Sequence, residues 1–150
     1  MTALRPRMLL VDDDVPRRLE LTSIFSGRCE VQPAGYADDP VRLARTGRPD
    51  VVVLTTRGRA PETTLRMCRS LRSDVRPIRL VAIAEAGPRP RGAFVAMELW
   101  MASGYLGLPS EPERVATFID ALLRGERPQV APASAAPGGL RSLWRRLRPS

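Results

Sequence analysis

The sequence predicts an α/β domain: a parallel five-stranded sheet with helices on both faces. Three observations carry that prediction. Short apolar runs recur between residues 8 and 108. Each is followed by a segment whose apolar residues fall at helical spacing. The two kinds of segment alternate five times, and strands separated by helical crossovers lie parallel in a three-layer sheet.

The elements follow in order. Met8-Leu9-Leu10-Val11 is the kind of run buried on both faces of a parallel sheet. Residues 15–25 form the first helix, with Leu21, Ile24 and Phe25 on one face, Asp14 as N-cap, Pro16 in the first turn and Gly27 as the stop. Residues 29–33 make a less hydrophobic strand, closer to an edge of the sheet. Residues 40–45 form a short helix closed by Gly47 and Pro49. Val51-Val52-Val53-Leu54, wholly apolar and mostly β-branched, is the clearest strand. After a loop over residues 57–61, a helix over 62–71 places Leu65, Cys68 and Leu71 on one side. Leu80 to Ala84 is the fourth strand. A turn-rich stretch, 87–92, leads into a helix over 93–102 with Phe94, Met97 and Met101. Residues 104–107 are a brief fifth strand. In the last helix, 113–124, Val115, Phe118, Ile119, Leu122 and Leu123 fall at i, i+3, i+4, i+7 and i+8. Beyond Arg124 the composition changes. The chain divides into a folded domain over 1–124, a Pro/Ala/Gly-rich linker expected to be disordered over 125–139, and a basic amphipathic segment over 140–150.

Composition narrows the chemistry. The 150 residues include no His, no Lys and no Asn. A Ser-His-Asp or Cys-His nucleophile, a Lys Schiff base, a Walker A lysine and histidine metal sites are therefore excluded. Cys29 and Cys68 stand 39 residues apart with no CxxC, so they read as reduced, buried thiols and not as a zinc site. All 24 cations are Arg, against 16 acids, for a net +8. Residues 125–150 hold 5 Arg and 1 acid, so half of the surplus sits in the last sixth of the chain. No apolar run reaches the length of a membrane span and no signal-peptide core follows the start, so a cytoplasmic location is expected.

In parallel sheets function gathers at the carboxyl ends of the strands. Those ends are Asp12-Asp13, Thr55-Thr56, Ala84-Glu85 and Leu108-Pro109. Two adjacent carboxylates offer oxygen ligands to a divalent cation, but Mg²⁺ needs a third anionic group, and Thr55 supplies no charge. Asp50 is no substitute, since it precedes the strand and so lies about four residues, or ~13 Å at roughly 3.3 Å per residue, from its carboxyl end.

Four segments, MLLVDDDVPRRLEL, RPDVVVLT, RLVAIAEAG and SGYLGLPSEPERV, in this order and spacing, resemble the receiver domain of two-component response regulators. The likeness runs from about Met8 to Arg124 and implies a flavodoxin-like fold. In that family the third strand ends in the aspartate that accepts phosphate. A Thr or Ser ends strand four, a Lys precedes the Pro after strand five, and an acidic pair after strand one binds Mg²⁺. The resemblance places Asp12 and Asp13 at the acidic pair, Thr55 at the phosphoacceptor, Ala84 at the Thr or Ser, Leu108 at the Lys, and Tyr105 at the switch aromatic. The chain thus resembles an atypical receiver, a pseudo-receiver, that keeps the scaffold and lacks three chemical parts. Asp12 and Asp13 alone make an incomplete metal site, and no cofactor and no enzymatic activity are expected.

The C-terminal segment has a pattern of its own. Leu140, Leu143, Trp144 and Leu147 fall at i, i+3, i+4 and i+7, with Arg141, Arg145 and Arg148 on another face. Nine residues are too few for a lone helix, since roughly 12–15 is already marginal, so a helix here forms on contact. Docking on a protein, adhesion to an anionic membrane surface and phosphate-backbone contact are the three readings. Nucleic acid is disfavoured, because 26 residues with four prolines cannot build a helix-turn-helix.

The expected function is that of a bacterial signalling adaptor acting by phosphorylation-independent protein contact. The partner, or a second copy, would meet the face of the fourth helix, fifth strand and fifth helix (about 91–124, with Tyr105 central and Glu111 and Arg114 exposed), the C-terminal segment, or both. The alternatives are a conventional receiver phosphorylated on an unusual residue, a small-molecule sensor using the space at Thr55, Ala84 and Leu108, and a regulator held at a membrane by its tail.

Overall fold

In a computed structural model of the chain, residues 5–56, 61–74, 77–86 and 102–131 are described. The strands are Arg7–Val11 (β1), Glu30–Ala34 (β2), Val51–Thr56 (β3), Leu80–Ala86 (β4), Gly104–Leu108 (β5) and Gln129–Val130 (β6). The helices are Val15–Phe25 (α1), Pro40–Gly47 (α2), Pro61–Arg72 (α3) and Pro112–Leu123 (α4), with a 3-10 turn at Tyr36–Asp38. The sheet order is β2-β1-β3-β4-β5-β6, with every pair parallel. The expected fold class stands, with one correction. The sheet has six strands, not five. β6 lies inside the stretch 125–139 that reads as linker. It pairs with β5, and the Tyr105 N–H donates to the Pro128 carbonyl at 2.9 Å. Two residues between prolines carry no period, so this strand is set by the open main chain of β5 and not by local pattern. The expected helix over 93–102 falls, up to Met101, outside the described residues, as do the tail residues Leu140, Arg141, Leu143, Trp144, Arg145, Leu147 and Arg148.

Alternation along the strands builds two apolar layers. Met8, Leu10, Val51, Val53, Ala82, Ala84, Leu106 and Leu108 face Leu21 and Phe25 of α1 and Val115, Phe118, Ile119 and Leu122 of α4. Leu9, Val11, Val52, Leu54, Val81 and Ile83 face Ala44 of α2 and Cys68 and Leu71 of α3. Residues of β1, β3 and β4 are buried on both sides, as the unbroken apolar runs require. Cys29 and Cys68 are free and buried, and burial pushes their thiols up to about 11 and about 12. β2, with its exposed Glu30, Gln32 and Pro33, is outermost on the side away from β6. Gly104 lets β5 approach α4: a Cβ there would lie 3.1 Å from the Phe118 ring.

Candidate functional site at the carboxyl end of the sheet

The acids after β1 are held by their own chain. Asp14 caps α1, and its Oδ1 accepts from the Arg17 N–H at 3.0 Å. The first turn of α1 thereby returns Arg17 over the end of β1. Its Nε donates to Asp12 Oδ2 at 2.7 Å and its Nη2 to Asp12 Oδ1 at 2.8 Å, a bidentate fork. Asp12 Oδ1 also accepts from the Asp14 N–H at 2.9 Å, and Arg18 Nη1 donates to the Asp12 carbonyl at 3.1 Å. The Asp12 side chain is fully buried, and that of Arg17 is 15% exposed. Burial by itself would lower the Arg17 pKa. The hydrogen bond and the charge of Asp12 outweigh it, so the guanidinium is held above its usual value.

Asp13 turns the other way. Its Oδ1 accepts from the Tyr36 N–H at 2.8 Å, and it lies against Gly35, where a Cβ would meet that oxygen at 3.1 Å. The two members of the acidic pair therefore serve different partners. The residues present do not fit a divalent cation. Both Asp12 oxygens are engaged by a guanidinium fork, and the third position is a neutral threonine. Among the described residues no three His, Cys, Asp or Glu gather to hold a metal.

Thr55 ends the inner run of β3 and is 2% exposed. Its Oγ1 donates to the Val11 carbonyl at 2.9 Å, and the Tyr36 hydroxyl donates to the Thr55 carbonyl at 2.9 Å. In the sheet register Thr55 stands beside Ala84. Leu108 closes β5, two residues past Leu106, the partner of Ala84. The structure thus brings Thr55, Ala84 and Leu108 to one end of the sheet. Ala84 and Leu108, 0% and 5% exposed, belong to the apolar layer under α1 and α4.

Tyr105 lies on the opposite face of the sheet, packed in the layer under α2 and α3 and 8% exposed. Its hydroxyl has no hydrogen-bond partner among the described residues, and burial, with the charge of Glu85, pushes it up to about 12. Glu111, the N-cap of α4, and Arg114, in its first turn, are exposed.

Arg17 and Tyr36 are the two site residues that sequence reasoning missed. Arg17 left a readable sign: a cation five residues after a buried acid, in the first turn of a helix capped by Asp14. Tyr36 left none, because its reach to Thr55 depends on the 3-10 turn after β2.

No protein-family model matches the chain, and no curated protein matches it in sequence. Solved structures do match it in fold. A LuxR-family two-component response regulator from Aurantimonas sp. SI85-9A1 shares 23% identity at a TM-score of 0.65, covering 96% of this chain and 99% of that one. The chemotaxis response regulator CheY4 of Vibrio cholerae shares 16% identity at 0.65, covering 79% and 98%. A CheY-like receiver domain protein from Methanospirillum hungatei JF-1 shares 16% identity at 0.63, covering 82% and 97%. The fold is that of a response-regulator receiver domain.

Proposed function

We propose that this chain is a non-catalytic, cytoplasmic signalling adaptor of the two-component type, a pseudo-receiver that works by protein contact without phosphorylation. One observation carries the reading: the Arg17 fork on Asp12. Aspartyl phosphorylation requires an anionic nucleophile, together with a cation that neutralises the incoming phosphoryl group. Here the acid that would take a metal already carries an internal cation. The residue at the nucleophile position is neutral, buried and hydrogen-bonded to main chain.

The contact surface is the helical face around α4, the basic segment 140–150, or both. Incubation of the full chain with acetyl phosphate and Mg²⁺, read by intact mass, is expected to give no 80 Da adduct, the mass of one phosphoryl group. An adduct would overturn the reading. A truncation after Ala131 keeps β6, so comparing its partners with those of the full chain assigns the contact. Loss of partners places docking on the tail, and retention places it on the folded face.

A further inference from the structure

The strands begin at the end of the sheet opposite Asp12 and Thr55. Parallel topology gathers there the residues that precede β1, β3 and β4 and the residue that follows α4. Arg5, Arg7, Arg48, Asp50, Arg79 and Arg124 line a basin of about 990 Å³ at that end. Five guanidiniums share it with one carboxylate. That carboxylate is committed, since Asp50 Oδ2 accepts from the Arg7 main-chain N–H at 2.8 Å. Arg5 donates to the Ser26 carbonyl, and Arg124 is paired with Glu126 at 2.6 Å. The guanidiniums of Arg7, Arg48 and Arg79 have no acidic partner among the described residues, and all three are exposed.

Helix ends account for part of this charge. α1 finishes at Ser26 against Arg5, α2 beside Arg48 and α4 beside Arg124, and each C-terminus carries roughly −0.5 of a charge. With Asp50 and Glu126 counted as well, a surplus of about +1.5 remains. Of the three uncommitted arginines, Arg7 opens β1, Arg79 immediately precedes β4 and Arg48 caps α2 three residues before β3, so all three stand at the amino ends of strands that are neighbours in the sheet. Several planar forks lining one basin match several phosphates on one ligand better than a single small anion. The basin has the volume of a small-molecule site, and its concavity does not suit a duplex.

We propose that this basin binds an oligophosphate group, carried by a free nucleoside di- or triphosphate or by a multiply phosphorylated lipid headgroup. The test uses the full chain at low ionic strength. Calorimetric titration with inorganic tripolyphosphate, and then with ATP, is run beside co-sedimentation with phosphatidylcholine vesicles doped with phosphatidylinositol bisphosphate. Saturable 1:1 binding of tripolyphosphate is expected. Arg48→Gln/Arg79→Gln should weaken it at least about tenfold, and Arg7→Gln/Arg79→Gln to the same degree, because each pair removes two charge-assisted forks. The charge-matched tail pair Arg145→Gln/Arg146→Gln should leave it unchanged. Calorimetric binding of ATP without vesicle capture assigns the free ligand. Vesicle capture that the basin variants abolish assigns the lipid. Absence of saturable binding, equal weakening in the tail pair, or weakening in the tail pair alone would overturn the proposal. All the replaced side chains in the basin are exposed, and a thermal melt matching the parent confirms that each variant folds.

Discussion

The contact between Arg17 and Asp12 is the residue on which the candidate site turns, and its energetics are asymmetric. A buried ion pair gains little over an apolar pair, but removing one partner strands the other. Arg17→Ala leaves a fully buried carboxylate with one main-chain donor, in place of a pair whose guanidinium is 15% exposed in the parent chain. The expected loss is about 2–3 kcal/mol in urea unfolding, just below the range for fully enclosed pairs. Asp12→Asn/Arg17→Ala should recover about 1 kcal/mol or more of that loss, since the amide still accepts from the Asp14 N–H and carries no charge. Additive losses would mean that the fork contributes no coupling. Titration gives a second test at this scale. Cys68 stays neutral in the folded chain up to about 12, against an ordinary value of 9.0. A raised folded pKa adds stability below the unfolded value, and that stability drains away as pH climbs toward the folded one. Unfolding free energy should therefore fall by up to about 1.4 kcal/mol per pH unit from this group between pH 9 and 11, and Cys68→Ala should flatten the slope. Asp12's partner was not legible in the sequence. It depends on how a helix returns over a strand end, which no local pattern encodes. Asp14 as cap, by contrast, was legible, because capping is settled within four residues.

At the level of elements, legibility followed apolar content. Met8–Val11, Val51–Leu54 and the α4 pattern read correctly because burial on one or both faces writes itself into consecutive side chains. The ends drifted by one or two residues, as with β3 running on to Thr56 and α2 to Gly47. Caps and left-handed residues such as Arg48 (φ 47°), not hydrophobicity, stop those elements. β6 escaped the reading because two residues have no period. Its place in the structure leads to a prediction. A chain ending at Gly125 loses the Pro128 carbonyl and both residues of β6, leaving β5 with unpaired main chain; one ending at Ala131 keeps them. The shorter form should melt lower, by several degrees for a loss of about 1 kcal/mol in a domain of this size. Equal melting temperatures would show that β6 adds nothing to the fold.

For the whole molecule, the alternation of strands and helices sufficed to predict the fold, because short parallel connections leave few arrangements open. The carboxyl-end site was half legible. That neutral Thr55 and Leu108 end their strands could be read from position, but the Arg17 fork on Asp12 could not. The same internal charge makes a global prediction. A ligand that binds only the folded state raises its melting temperature by mass action. Mg²⁺ in millimolar excess, or its removal with a chelator, is therefore expected to leave the melting temperature unchanged. Arg17→Ala/Thr55→Asp, which frees Asp12 and adds the third carboxylate, should gain a Mg²⁺-dependent rise. A rise in the parent chain would show that the guanidinium yields to the metal.

The two flanks of the sheet bear on how this molecule meets others. Alternate residues of a parallel strand bond to a given neighbour. Glu30 N–H goes to the Pro6 carbonyl and the Ala34 carbonyl takes the Asp12 N–H, so Val31 and Pro33 turn their main-chain groups outward. Pro33 has no hydrogen to give, which leaves β2 a poor template for a further strand. On the other flank β6 offers only two residues. Lamination of one copy onto the next through shared main-chain ladders is thus blocked on both sides. Whatever docks on this protein must read its side chains.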